Sequence, residues 1–155
     1  MIGISVEVTN PNIAASDLLS EDESVWFHHV LMGDLKISLG NHDVIIRNQP
    51  LLWVVGSIIF TIKDLLFVRN KPSLIGLVSE KEVYVSIEGG DIVIDDRENG
   101  ISDRENLTEF CSKIGDIQRD LYGKIIKSVP AIEEKWSHNN WWPVSSYKLE
   151  MLDRR

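Results

Sequence analysis

A single cysteine, Cys111, stands among the 155 residues. That excludes an intramolecular disulfide and any cysteine-rich zinc site, and it fits a reducing compartment. Basic residues are scarce as well: 16 Lys and Arg face 24 Asp and Glu, for a formal net charge of −8. Binding to a phosphate backbone needs cations to displace counterions, so direct nucleic-acid binding is not expected. No apolar run reaches the roughly 20 residues of a membrane span. The most apolar stretch, Leu51 to Ile62, is interrupted by Ser57 and Thr61 and followed at once by Lys63 and Asp64. The opening MIGISVEVTN lacks the basic start and apolar core of a secretory signal, so a cytoplasmic location with no membrane partner is expected. A Gly-rich phosphate loop, a serine elbow and a paired-histidine metal helix are also missing. Their absence argues against an enzyme and gives no reason to expect a cofactor or a bound metal.

What remains is an ordinary folding chain. Apolar residues make up 43% and charged residues 26%, neither a disordered nor a fibrous composition. A chain of this length buries about 70% of its unfolded surface, enough for one domain without staples. The expected architecture is α+β: a mainly antiparallel meander sheet packed against two amphipathic helices, residues 1–155 forming a single domain.

Ile2, Ile4, Val6 and Val8 alternate with small or polar residues and predict a first strand, ended by Asn10-Pro11. Residues 12–24 are polar and acidic around Leu18-Leu19, and suggest a loop or short helical turn capped by Ser16 or Asp17. Runs at 25–31 and 35–39 flank Gly33-Asp34, and Gly40-Asn41 precedes 44–47, so two consecutive hairpins are expected. After Pro50, apolar residues recur at helical spacing from Leu51 towards Arg69, with Asn70 and Pro72 as a stop. Strands at 74–78, 82–87 and 92–94 form a second meander, its last turn at Gly89-Gly90. Ser102 and Glu105 have capping-box spacing, which predicts a second helix from Asp103 with Leu107, Phe110, Cys111, Ile114, Ile117, Leu121 and Ile125 facing the core.

Several fragments suggest chemistry, and each has a duller explanation. Gly33-Asp34 and Gly40-Asn41-His42-Asp43 resemble pieces of the metallophosphoesterase signature, yet the remaining blocks of that signature are missing, and hairpin turns account for the letters. A small metal-dependent hydrolase using His28, His42 and Asp43 is therefore the alternative reading. His28 and His29 are adjacent and would point to opposite faces of a strand, so they cannot readily share an ion. Cys111 lies on an apolar helix face, where a thiol behaves as a small hydrophobe. Residues 95–106 loosely follow a calcium loop, but Arg97 stands third and Asn106 twelfth, where a carboxylate and a bidentate glutamate belong. Trp136, Trp141 and Trp142 cluster in the tail; exposed they would mark an interface, buried a lid over the core.

The most informative feature is acidic. Asp91 to Glu105 carries six carboxylates against two arginines, half of the net charge in fifteen residues. Such a field steers cationic partners. Asp103 and Glu105 have a structural reason in the expected helix N-terminus, where negative charge offsets the dipole. Asp95, Asp96 and Glu98 lack it; with Asp91, Trp141 and Trp142 they are the expected partner-binding residues.

The order of features in residues 25–96 carries one resemblance. It comprises Trp26-Phe27, the segment Gly33-Asp34-Leu35-Lys36-Ile37, Gln49-Pro50-Leu51-Leu52 opening a helix, and Gly89 to Asp95 closing a meander. As a small acidic α+β domain without catalytic motifs, the chain resembles bacterial immunity proteins of the contact-dependent growth inhibition and polymorphic-toxin type. The resemblance implies inhibition by binding: occlusion of the active site of a cognate toxin with a basic, nuclease-like surface. A non-enzymatic adaptor or oligomerisation module is a further alternative, and the oligomeric state is open.

Overall fold

The computed structural model describes residues 1–14, 18–19, 29–67, 73–74 and 82–134. Their elements run β1 (Ile2–Asn10), β2 (Met32–Leu39), β3 (His42–Pro50), α1 (Leu51–Phe67), β4 (Ser73–Leu74), β5 (Val83–Glu88), β6 (Asp91–Asp96), β7 (Ile101–Asn106) and α2 (Leu107–Ser128). The fold is α+β, as its periodicity predicts. Two antiparallel sheets, ordered β1-β2-β3 and β4-β5-β6-β7, share a core with the two helices.

The first sheet corrects one expected hairpin. Gly33-Asp34 is not a turn: β2 runs through it and pairs with β1 on one side and β3 on the other. His29 and Val30 lie in a turn rather than a strand, and 25–28 fall outside the described residues. The reason for Gly33 is close approach. A Cβ there would meet the Glu7 carbonyl oxygen at 2.0 Å and Leu51 Cδ1 at 2.9 Å, so only glycine lets β1 and α1 close over this position. Asp34 sits beside a register shift between Gly33 and Leu35, accepting from the Asn48 amide at 2.9 Å and pairing with Arg47. The second expected hairpin forms at Gly40, in the left-handed region at φ 63°.

Helix α1 follows Pro50 directly. Leu51, Leu52, Val54, Val55, Ile58, Ile59, Ile62 and Leu65 are buried, an apolar surface too broad for a helix lying on one sheet. It packs against β2, β3, β5 and α2 at once. Each such side chain contributes about 1.5–3 kcal/mol on burial. The helix-stop signals at Arg69, Asn70 and Pro72 lie outside the described residues, as does most of the strand expected at 74–78.

The second correction is β7. The capping-box spacing of Ser102 and Glu105 does not start a helix; Ile101–Asn106 is a strand paired with β6. Gly100, at φ 67°, closes the four-residue turn between them. The helix starts at Leu107, where the Asn106 side chain accepts from the Thr108 and Glu109 amides. Asparagine is as good a cap as serine. Along α2, Phe110, Cys111, Ile114, Leu121 and Ile125 are buried, and Ile117 is partly so, the face that the spacing predicts.

Candidate functional site

Strand alternation divides the acidic segment into two sets with different environments. Register places Val85, Ile94 and Asp103 in one cross-strand row, and Tyr84, Asp95 and Ser102 in the next. Successive residues of a strand point to opposite faces. Asp96, Asp103 and Glu105 therefore share the inward side with Ile92 and Ile94, whereas Asp91, Asp95 and the neighbouring Glu88 share the outward side with Tyr84, Ser86 and Val93.

The inward set is consumed by the fold. Asp96 is only 2% exposed; its Oδ2 lies 2.8 Å from His42 Nε2 and accepts from Asn99 Nδ2 at 2.8 Å. Burial alone would raise its pKa, but the hydrogen bonds from Asn99 and His42, with the charge of His42, outweigh burial and hold it below the ordinary carboxylate value. Asp103 is also held below that value, first by the Arg104 amide, then against burial by the Met1 ammonium and the Gly40 amide. Its Oδ2 is 3.3 Å from the ammonium and 3.2 Å from Gly40 N. Glu105, 6% exposed, accepts from Lys113 Nζ at 2.6 Å, and the same ammonium donates to the Ile2 carbonyl. All three carboxylates thus tie β6, β7 or α2 to the N-terminal end of β1, to the β2–β3 turn or to the start of β3. They form a polar seam between the two sheets.

This placement corrects two expectations. Asp96 is turned away from solvent, so it offers no charge to a partner. Asp103 and Glu105 do have structural partners, but in a strand and not at a helix N-terminus.

Of the outward carboxylates, Glu88 and Asp95 line a concavity of about 540 Å³, bounded also by Tyr84, Ser86, Val93, Arg97, Ser102, Asp103 and Arg104, with Asp91 outside its lining. At one end Arg97 Nε is 3.4 Å from Asp95 Oδ2, and its guanidinium carbon lies 3.6 Å from the Tyr84 ring centroid. At the other end Arg104 divides between Asp91 at 3.3 Å and Glu88 at 3.5 Å. Both arginines are about half exposed, at 45% and 55%. Pairs so exposed contribute only about 0–1 kcal/mol each and yield to competing ions. Glu98 lies exposed in the turn beside them. Sequence reasoning missed Tyr84, Glu88 and Arg104 because they join Asp91 and Asp95 only through strand register.

Of the hydrolase alternative's residues, the described pair His42 and Asp43 turn to different partners. His42 and Asp43 are adjacent on β3; His42 turns to Asp96, while Asp43 Oδ1 accepts from Ser38 Oγ at 2.7 Å across the hairpin. His28 lies outside the described residues, as do Trp136, Trp141 and Trp142. Among the described residues, no three His, Cys, Asp or Glu side chains are grouped to hold a metal ion, and no helix is long and apolar enough to cross a membrane.

No protein-family model matches the chain, and no curated protein or solved structure matches it. The site therefore rests on its own geometry.

Proposed function

We propose that this domain is a binding protein of the immunity type, which neutralises a cognate bacterial toxin by docking the outward face of β5, β6 and β7 onto a cationic surface around the toxin's active site. One observation carries this reading: the acidic segment keeps its outward carboxylates partly exposed and only loosely paired, while its inward carboxylates hold the sheets together. Exposed ion pairs exchange partners at small cost, so Glu88, Asp91 and Asp95 are able to trade Arg97 and Arg104 for a toxin's Lys and Arg. Glu98 adds charge at the rim. Attraction between such surfaces raises association rates by about 10- to 1000-fold and fades with ionic strength.

The test is charge reversal on the outward face and its rim, Asp91→Lys, Asp95→Lys and Glu98→Lys together, in cells producing the cognate toxin. Protection is expected to be lost, with association slowed at least about tenfold at low salt. Unchanged protection and unchanged kinetics in a folded variant would defeat the proposal.

A further inference from the structure

The Arg97 side chain occupies a place built from the groups that recognise a cation. Tyr84 supplies an aromatic face 3.6 Å from the guanidinium carbon, and Asp95 supplies a carboxylate 3.4 Å from Nε. An aromatic face draws a cation through its quadrupole, and a carboxylate beside it adds charge and a hydrogen-bond acceptor. The two are fixed independently of Arg97: Tyr84 and Asp95 are direct cross-strand partners in the β5–β6 ladder. The Arg97 backbone is anchored too, its amide donating to the Glu82 carbonyl at 3.0 Å. Only its side chain is free to leave, and it is nearly half exposed. Beyond it the concavity continues over Ser86 and Val93 to Arg104.

We infer that Tyr84 and Asp95 form a subsite for an arginine side chain of a partner protein, and that Arg97 fills this subsite as an internal stand-in until the partner's arginine displaces it. The inference rests on the docking face described above and names the chemistry that this face selects. An incoming guanidinium replaces like with like, so the aromatic and carboxylate contacts are kept and the competition is mild. The displaced Arg97 then points from the rim, where it can meet an acidic group on the partner. Guanidinium is favoured over ammonium because its plane stacks on the ring while its edge still donates to the carboxylate.

The test uses the full chain, labelled with nitrogen-15, and acetyl-arginine amide as probe, with acetyl-citrulline amide as its neutral isostere. Wild type, Arg97→Ala, Arg97→Gln and Arg97→Ala/Tyr84→Leu are titrated and followed by amide chemical shifts, whose dispersion also reports that each variant is folded. Both single Arg97 variants are expected to bind the arginine probe at least about fivefold more tightly than wild type, since the internal competitor is gone. Shifts should be centred on Val85, Ser86 and Asp95, vanish in the Tyr84→Leu double variant, and be missing with the citrulline probe. The inference is overturned if the Arg97 variants bind no better than wild type, if shifts survive Tyr84→Leu, or if citrulline binds equally. Because no toxin is present, a null titration removes the subsite and leaves the docking face to its own test. A positive titration combined with unimpaired protection in the charge-reversed variant removes the docking face and leaves the subsite.

Discussion

His42 Nε2 lies 2.8 Å from Asp96 Oδ2, joining the start of β3 to the end of β6 across 54 positions of sequence. The contact spans two sheets that share no strand. With Asp96 nearly excluded from water and also bonded to Asn99, the carboxylate organises both the inter-sheet seam and the β6–β7 turn.

Replacing Asp96 by asparagine keeps its shape but removes its charge, so bonds to His42 and Asn99 become neutral or mismatched. Asp96→Asn is expected to cost about 1–3 kcal/mol of unfolding free energy at neutral pH, measured by urea denaturation. His42→Ala, which leaves Asn99 in place, should cost less.

Acid should loosen the same seam. Asp96 and Asp103 both have folded pKa values below the ordinary 3.8, so the folded state binds fewer protons than the unfolded state around that pH. Their stabilisation is therefore complete by about pH 5 and is lost as pH falls below 4 through the depressed folded values. Unfolding free energy followed from pH 6 to pH 2 should decline over that lower range, and the decline should be shallower in Asp96→Asn.

Lys113 is the shared partner of Glu105 and the Ile2 carbonyl. Lys113→Met strands the Glu105 carboxylate in a site where its second oxygen already lacks a hydrogen-bond partner. The single change should cost about 1–3 kcal/mol. Adding Glu105→Gln should recover part of that loss, a coupling of about 0.5–3 kcal/mol in a double-mutant cycle.

Two glycines should respond in opposite directions to alanine. Gly33→Ala forces a methyl group into the Glu7 backbone, so β1 must move and the protein should be destabilised beyond about 3 kcal/mol or fail to fold. Gly123 is exposed on α2 with open space where a Cβ would stand. Gly123→Ala should stabilise by about 0.5–1 kcal/mol, read as a rise in melting temperature.

Where local pattern and burial agree, the elements are legible in the sequence. β1 follows from the alternation of Ile2, Ile4, Val6 and Val8, and α1 from the spacing after Pro50. The β5–β6 turn follows from Gly89-Gly90, both of which adopt positive φ. β7 is not legible because its inward positions include Asp103 and Glu105, whose partners come from Met1, Gly40 and Lys113. Carboxylates satisfied by remote cations read as solvent-facing residues, so the alternation disappears and the capping-box spacing takes its place. Gly33-Asp34 misleads similarly, since the need for glycine arises from β1 and α1 passing overhead. At the site, Asp91 and Asp95 are visible as charge. Tyr84, Glu88 and Arg104 become neighbours only once the register is known.

One acidic segment is divided between an inward set that holds the fold and an outward set that is only loosely paired. The most direct measurement compares urea unfolding free energies of two double variants, Asp91→Asn/Asp95→Asn and Asp96→Asn/Glu105→Gln. The outward pair should stay within about 0.5 kcal/mol of wild type, as exposed pairs do, while the inward pair should lose about 2 kcal/mol or more. Equal destabilisation by both would contradict the account, because the outward carboxylates would then be structural as well and the docking face would lose its exchangeable charge.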